Sequence, residues 1–379
     1  MTRGIVIVYF SRLGTPLRDH QRALLTEDAK AIARFKQYDF LGDADNLTKD
    51  HDGHVYLVPD DTLLADEARH LGIRDCSDFY GGVVPHRFVK TKSITHPLID
   101  KEAARPDGWS SAFASRVRDV VLPGYTVFSA RDARFAASRM LARGPIRVKQ
   151  PLEAGGRGQT PVASADELNA LLECLPAAEI AACGLVFEEN LDYVSTLSVG
   201  HISVDNLVFT YHGRQRITRD NNEQPAYGGS DLTCVRGGWA ALEHVPMNNE
   251  TRVAVAQARL YDEAMIEYPG FMASRRNYDV GQGNDEKGQL RSGVLESSWR
   301  VGGATAAEVV AMTKFAEDPS IQVVEVSHLE KFGSNVQAPH GAVIHFQGND
   351  SEIGPMSRYT VVRRIARSIA QAECGGIKV

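Results

Sequence analysis

Two groups of residues in this 379-residue chain combine types and spacing that suit phosphate and metal chemistry. The first is Arg147-Val148-Lys149, followed closely by Gly155-Gly156-Arg157-Gly158. In a strand, residues two apart share a face, so Arg147 and Lys149 project together while Ile146 and Val148 turn to the core. Glycines let the next loop approach a ligand and expose its backbone N–H groups, and cations beside such donors suit a polyphosphate. The pattern is neither G-x-x-x-x-G-K-[ST] nor G-x-G-x-x-G opening a helix. The second group is Asp279 and Glu296 on the arms of an expected hairpin, with Ser298, Arg300 and Gly302-Gly303 just beyond. Two acids on neighbouring strands suit Mg2+, which takes a few carboxylate oxygens and completes its shell from phosphates and water. Arg300 is placed to clamp a phosphoryl group.

The elements that must carry these residues read as follows. A buried strand at Ile5–Phe10, a helix at Asp19–Phe35, a strand at Val55–Val58 and a short helix at Leu63–Leu71 predict an α/β unit with parallel pairing. Gly81–Pro85 reads as a turn leading out of it. Ser129 with Asp132 and Ser164 with Glu167 are capping boxes, opening helices before Gly144-Pro145 and over Asp166–Leu175. Strands are expected at Ile146–Gln150, Gly184–Phe187, Thr196–Val204 and Leu207–Tyr211, then a polar stretch over Arg214–Gly238. Helices at Thr251–Ile266 and Ala306–Phe315 flank the hairpin of Asn277–Val280 with Gly293–Glu296. Ile321–Val326 and Ala342–Phe346 read as closing strands and Tyr359–Ala372 as a terminal helix.

Composition bounds the partners. Lys and Arg total 42 against 48 Asp and Glu, a net charge of −6, so neither nucleic acid nor an anionic membrane is an expected partner. Hydrophobic residues at 43% and charged residues at 24% are ordinary for a globular chain of two or three packed units. The five cysteines show no C-x-x-C spacing, and no apolar run approaches a membrane span, so reduced thiols and a cytoplasmic location are expected. His201, His212, His340 and His345 show no metal-ligand spacing.

Lys149 in a strand, the glycine loop, Glu188-Glu-Asn-Leu191 after an apolar strand, and Glu296-Ser-Ser-Trp-Arg-Val-Gly-Gly303 occur in the order found in the ATP-grasp superfamily. The last segment resembles its E-x-N-x-R-x-G-G motif. Within that superfamily the chain is most similar to a bacterial, biotin-carboxylase-like family of unassigned function. The resemblance covers roughly Trp109 to Phe315. It implies an α/β (α+β) fold with two lobes holding a nucleotide: an N-terminal α/β domain over 1–108, a small lobe over 109–187, and a large lobe with a C-terminal extension over 188–379.

The resemblance also implies roles. Lys149 would contact the α and β phosphates of ATP, and Gly155, Gly156, Arg157 and Gly158 would form the lid loop. Glu188 and the backbone at Glu189 and Leu191 would meet the adenine edge. Asp279, Glu296 and Ser298 would hold Mg2+, and Arg300 would face the reacting phosphoryl group. Ser298 stands where the family usually has Asn, and no acid for the ribose lies near Thr196. A second phosphate lysine is either Lys92 or Lys101. Arg214, Arg216, Arg219 and Arg236 lie where an acidic substrate often binds. The implied activity is an ATP- and Mg2+-dependent ligase that activates a small-molecule carboxylate as an acyl phosphate for an amine or similar nucleophile. A kinase on the same fold and a non-catalytic nucleotide-binding protein are the alternatives.

Overall fold

A computed structural model of the chain describes residues 4–11, 16–44, 52–153 and 158–369. The chain begins with β1 (Ile5–Tyr9), α1 (Asp19–Lys36), β2 (Asp39–Asp43), β3 (Val55–Pro59), β4 (Leu63–Leu64), α2 (Ala65–His70) and β5 (Gly82–Val84). Two 3-10 turns, Arg87–Lys90 and Lys92–Thr95, lead to α3 (Ser111–Val117). Next come β6 (Gly124–Val127), α4 (Ala130–Leu141), β7 (Ile146–Lys149), β8 (Gln159–Val162), α5 (Ala165–Glu173), α6 (Ala177–Cys183) and β9 (Leu185–Glu189). The remainder is β10 (Asp192–Val204), β11 (Leu207–Arg219), β12 (Pro225–Arg236), α7 (Trp239–Glu243), α8 (Asn249–Ala264), β13 (Met272–Ala273), β14 (Arg275–Asn284), β15 (Leu290–Ser298), α9 (Thr305–Glu317), β16 (Val323–Phe332), β17 (Val343–Asp350) and β18 (Gly354–Ala366).

The continuous apolar run of β1 is buried because it is the central strand of a parallel β2-β1-β3 sheet. Leu25, Ala29, Ile32 and Ala33 of α1 lie in one core with β1, β3, β11, β16 and α9, so the first unit is docked on the large sheet. That sheet is antiparallel throughout, in the order β15-β14-β10-β11-β12-β16-β18-β17. A separate four-stranded antiparallel sheet, β6-β9-β7-β8, packs its own apolar face against α4 and α5. Both capping serines act as expected: the Ser129 hydroxyl accepts from the Asp132 N–H and the Ser164 hydroxyl from the Glu167 N–H.

Four expectations are corrected. Tyr359–Ala372 was expected as a helix, but its described part is strand up to Ala366. The β-branched run Thr360-Val361-Val362 pairs with β16 throughout, with Thr360 also paired to β17, and that pairing overrides the helical reading. The polar stretch Arg214–Gly238 is mostly strand, because β11 and β12 are long and their outer ends face solvent. Gly81–Pro85 contains strand β5, inserted between β4 and β13. The boundary expected at residue 187 falls inside β9, which runs on to Glu189.

The reading also missed β2, α6 and the last strand's role in completing the large sheet. At β5, close approach decides the residue: a Cβ at Gly82 would stand 2.4 Å from the Cβ of Trp299, which is fully buried. The segment after β15 is thereby held against the first unit.

Beneath that segment lies a buried ion pair. Arg275 Nε and Nη2 donate to Glu308 at 2.9 and 2.8 Å, and the hydroxyls of Tyr80 and Tyr211 donate to the same carboxylate at 2.9 and 2.6 Å. Arg275 Nη1 also donates to the carbonyls of Ser298 and Arg300 at 3.1 and 2.6 Å. A core ion pair thus fixes the backbone that carries two candidate site residues. Glu308→Ala leaves a buried guanidinium without its counter-ion and the Tyr80 hydroxyl without its acceptor, while Tyr211 keeps Asn277 Oδ1. It is expected to cost about 3–5 kcal/mol in denaturant-induced unfolding, and a loss under about 1 kcal/mol would contradict the role.

Candidate functional site

Strands β14 and β15 place Asp279 directly opposite Glu296, at a register shift that follows Asp279. Ser298, two residues past Glu296, shares its face and stands opposite Asn277. Asp279 Oδ1 accepts from the Ser198 hydroxyl at 3.1 Å and from Asn277 Nδ2 at 2.9 Å, and Gln215 Nε2 in turn donates to Ser198 at 3.0 Å. Burial, then the charge of Glu296, push the Asp279 carboxyl up to about 6 despite these donors. Burial opposes ionisation of Glu296 too, but Lys92 outweighs it, helped by Lys149 and Arg300, and the carboxyl lies below its ordinary value. One acid of the pair is thus firmly ionised and the other is poised.

Lys149 approaches from the other sheet. Strand β7 lies between β8 and β9, and its Arg147 and Lys149 share a face with Glu188 of β9. The Lys149 ammonium is ion-paired with Glu188, and His96 Nε2 lies 2.9 Å from the second oxygen of that carboxylate. Burial works against the Glu188 charge, but Lys149 and then His96 hold its carboxyl down at about 2. Arg147 is turned to Asn190 Oδ1, 2.7 Å away.

Between the two sheets runs Thr91–His96. Lys92, 4% exposed, donates to Glu296 at 2.8 Å and to the carbonyl of Glu153 at 3.0 Å, the residue leading into the glycine loop. A cavity of about 110 Å³ opens here, lined by residues including Asp61, Lys90, Lys92, Glu153, Glu296, Ser298 and Arg300. Lys101 lines a different cavity, with Arg105 and Trp109. Of the two lysines left open by the sequence, the structure therefore brings Lys92 to the acids.

Other expected residues are placed as follows. Gly155, Gly156 and Arg157 lie outside the described residues. Gly158 has φ +61°, and its carbonyl accepts from the Gln150 N–H at 2.8 Å, closing the base of the β7–β8 loop. The Glu189 N–H is engaged with the carbonyl of Pro123 at 2.9 Å, and Leu191 is buried. Both oxygens of Glu188 face inward to Lys149 and His96, so its expected contact with a base edge is not made in this arrangement. Arg300 lines the cavity and donates to the carbonyl of Val301 at 3.0 Å.

The four arginines expected at a substrate site are engaged elsewhere. Arg214 pairs with Glu250, Arg216 with Asp231, Arg219 with the carbonyl of Glu223, and Arg236 with carbonyls of Phe315 and Ile321. Sequence reasoning missed His96, Ser198, Gln215 and Asn277. The spacing of His96 four residues after Lys92 was the one available signal, and only the fold shows Lys92 reaching Glu296 and His96 reaching Glu188.

Comparison with solved structures gives the class of fold. The biotin carboxylase domain of 2-oxoglutarate carboxylase from Hydrogenobacter thermophilus, solved with MgADP, ADP and bicarbonate, superposes with a TM-score of 0.55 at 12% identity, covering 96% of this chain and 86% of that one. N5-carboxyaminoimidazole synthetase from Staphylococcus aureus, complexed with ADP, gives 0.47 at 13% identity over 98% and 95%. D-alanine–D-alanine ligase from Bacillus anthracis gives 0.46 at 13% over 83% and 97%. The chain has the ATP-grasp fold. It belongs to the family described as "Protein of unknown function (DUF3182)", whose model matches residues 8–360. No curated protein sequence matches it.

The donor set fits Mg2+ better than a transition metal. Among the described residues no three His, Cys, Asp or Glu side chains cluster as ligands. Two facing carboxylates with a hydroxyl suit a hard cation that draws its remaining ligands from phosphate and water. A divalent cation between Asp279 and Glu296 would replace the repulsion that raises Asp279 with attraction.

The pH consequence follows from the sign of that shift. The folded protein holds the Asp279 proton more tightly than the unfolded chain, so this group destabilises the metal-free fold as pH rises from 3.8 through about 6. Asp279→Asn keeps an oxygen to accept from Ser198 and Asn277 and removes that cost. With chelator present, the variant is expected to melt higher than the wild type at pH 7.5, the difference vanishing below about pH 4. A lower melting temperature at pH 7.5 would contradict the account.

Proposed function

We propose that the chain is an ATP- and Mg2+-dependent ligase that joins a small-molecule carboxylate to an amine or similar nucleophile. The observation that carries the reading is convergence: Lys92, Lys149 and Arg300 all act on Glu296, which faces Asp279 across one ladder. Three cations around two acids, in a net acidic chain, form a local field suited to a metal-bound polyphosphate. The reading divides the chain into an N-terminal α/β domain (1–108), a small lobe (109–187, extended to the end of β9) and a large lobe with the C-terminal strands (to 379).

On this reading Lys149 and Lys92 neutralise phosphate oxygens, and the loop through Gly155, Gly156, Arg157 and Gly158 covers them. Asp279 and Glu296, with Ser298, would hold Mg2+, which supplies charge neutralisation when bound. Arg300 orients the acceptor carboxylate against the γ-phosphate. An oxygen of that carboxylate bonds to the γ-phosphorus as the bond to ADP breaks. The amine nitrogen then bonds to the acyl carbon, inorganic phosphate leaves, and the amine gives up a proton to solvent. The residues act by positioning and by charge, with no covalent enzyme intermediate. The adenine is met by backbone around Glu189 and Leu191, Glu188 being occupied with Lys149. Among the described residues no helix is long and apolar enough to cross a membrane.

Mg-ADP at about 100 times its dissociation constant is expected to stabilise the wild type by about 2.7 kcal/mol and to leave Lys149→Ala nearly unshifted at the same concentration. No shift in the wild type, or an equal shift in the variant, would sink the nucleotide reading. With carboxylate and amine panels, ADP release that requires both partners and yields an amide plus phosphate supports the ligase. A phosphorylated acceptor would make the protein a kinase instead.

A further inference from the structure

His96 is fully buried, and Glu188 and Lys149 are 1% and 3% exposed. The three form a line in which His96 Nε2–H donates to one Glu188 oxygen at 2.9 Å and the Lys149 ammonium pairs with the other. The ring fits because β6 carries Gly124 opposite Glu188: a Cβ there would stand 2.9 Å from two atoms of the His96 ring. His96 Nδ1 has no hydrogen-bond partner among the described residues, so the contact to Glu188 is the polar bond that orients this imidazole.

The segment that delivers His96 is tied down on both sides. The Thr126 hydroxyl donates to the carbonyl of Ser93 at 2.6 Å, and Thr95 Oγ1 lies 3.1 Å from the Tyr261 hydroxyl on α8. Ser93 is bonded to the carbonyl of Cys183, and Lys92 reaches Glu296. One six-residue stretch therefore sets the position of both cleft lysines, Lys92 directly and Lys149 through two buried hydrogen-bonded groups.

We propose that His96 is the positioning residue for Lys149, acting through Glu188, and that Glu188 serves as the lysine's anchor. This rests on the nucleotide reading of the cleft. A flexible lysine on a strand samples many rotamers, and a carboxylate with two free oxygens would let it swing. Occupation of one oxygen by the imidazole leaves the other as the only seat for the ammonium. The lysine is then pre-set at the cleft wall, and less conformational freedom is lost when a polyphosphate arrives.

The test is a double-mutant cycle on the full chain, read as the dissociation constant of Mg-ADP by calorimetric titration extended to millimolar nucleotide. His96→Leu is expected to weaken Mg-ADP by about tenfold, the scale of one hydrogen bond to a charged group. In a Lys149→Ala background the same change is expected to have no further effect. His96→Gln, whose amide nitrogen reaches the place of Nε2, restores most of the affinity, while the shorter His96→Asn does not. Equal losses in the two backgrounds, or wild-type affinity in His96→Leu, overturn the inference while the nucleotide reading stands. If His96→Leu fails to fold, the Gln and Asn variants decide, and equal affinity for the pair overturns it. Absence of Mg-ADP binding by the wild type overturns the nucleotide reading, and this inference with it.

Discussion

Two carboxylates set opposite each other on adjacent strands repel, and the Asp279–Glu296 pair sets the terms for the rest of the cleft. Lys92 offsets that repulsion on one side, so Glu296 stays ionised while Asp279 is held near its titration point. To reach Glu296, Lys92 must be carried into the interior between the sheets, and a short, heavily hydrogen-bonded segment does this. That same segment carries His96 to Glu188 and so ties the small sheet's lysine to the large sheet's acids. The pair is also anchored from below, where Arg275, held by Glu308, donates to the carbonyls of Ser298 and Arg300.

The ionic arrangement is economical in net charge. Lys149 with Glu188 and Lys92 with Glu296 are matched pairs, whereas Asp279 has only neutral donors and Arg300 forms no ion pair among the described residues. What remains to be neutralised is the Asp279 carboxylate, across the ladder from Glu296, and the Arg300 guanidinium, which lines the small cavity. Under the proposed function a metal cation meets the first and a phosphoryl or carboxylate group meets the second. Asn277 stands across the ladder from Ser298 and already bonds to Asp279.

Much of this was legible in the sequence where local pattern and tertiary role agree. The continuous apolar run of β1, the capping serines at 129 and 164, and the hairpin of β14 with β15 all lie where their patterns predict. Asp279 and Glu296 do meet across the expected ladder. The failures share a cause: strands whose partners are far away in sequence. The stretch at Tyr359–Ala366 has charged residues at spacings that pass for a helix, and only its pairing with β16 and β17 makes it a strand. Likewise β11 and β12 carry polar outer ends because they project past the core. His96 and the inward turn of Glu188 were invisible for another reason, since a buried polar bond between residues 92 positions apart leaves no periodic signal.

The central claim is that one metal-bound polyphosphate is held between the two sheets. The most direct measurement is a crystal structure of the full chain with Mn2+ and a non-hydrolysable ATP analogue, using anomalous scattering to locate the metal. The account predicts an anomalous peak bridging carboxylate oxygens of Asp279 and Glu296, with the phosphates in contact with Lys149 and Lys92. Metal or phosphates bound away from these four side chains would contradict it.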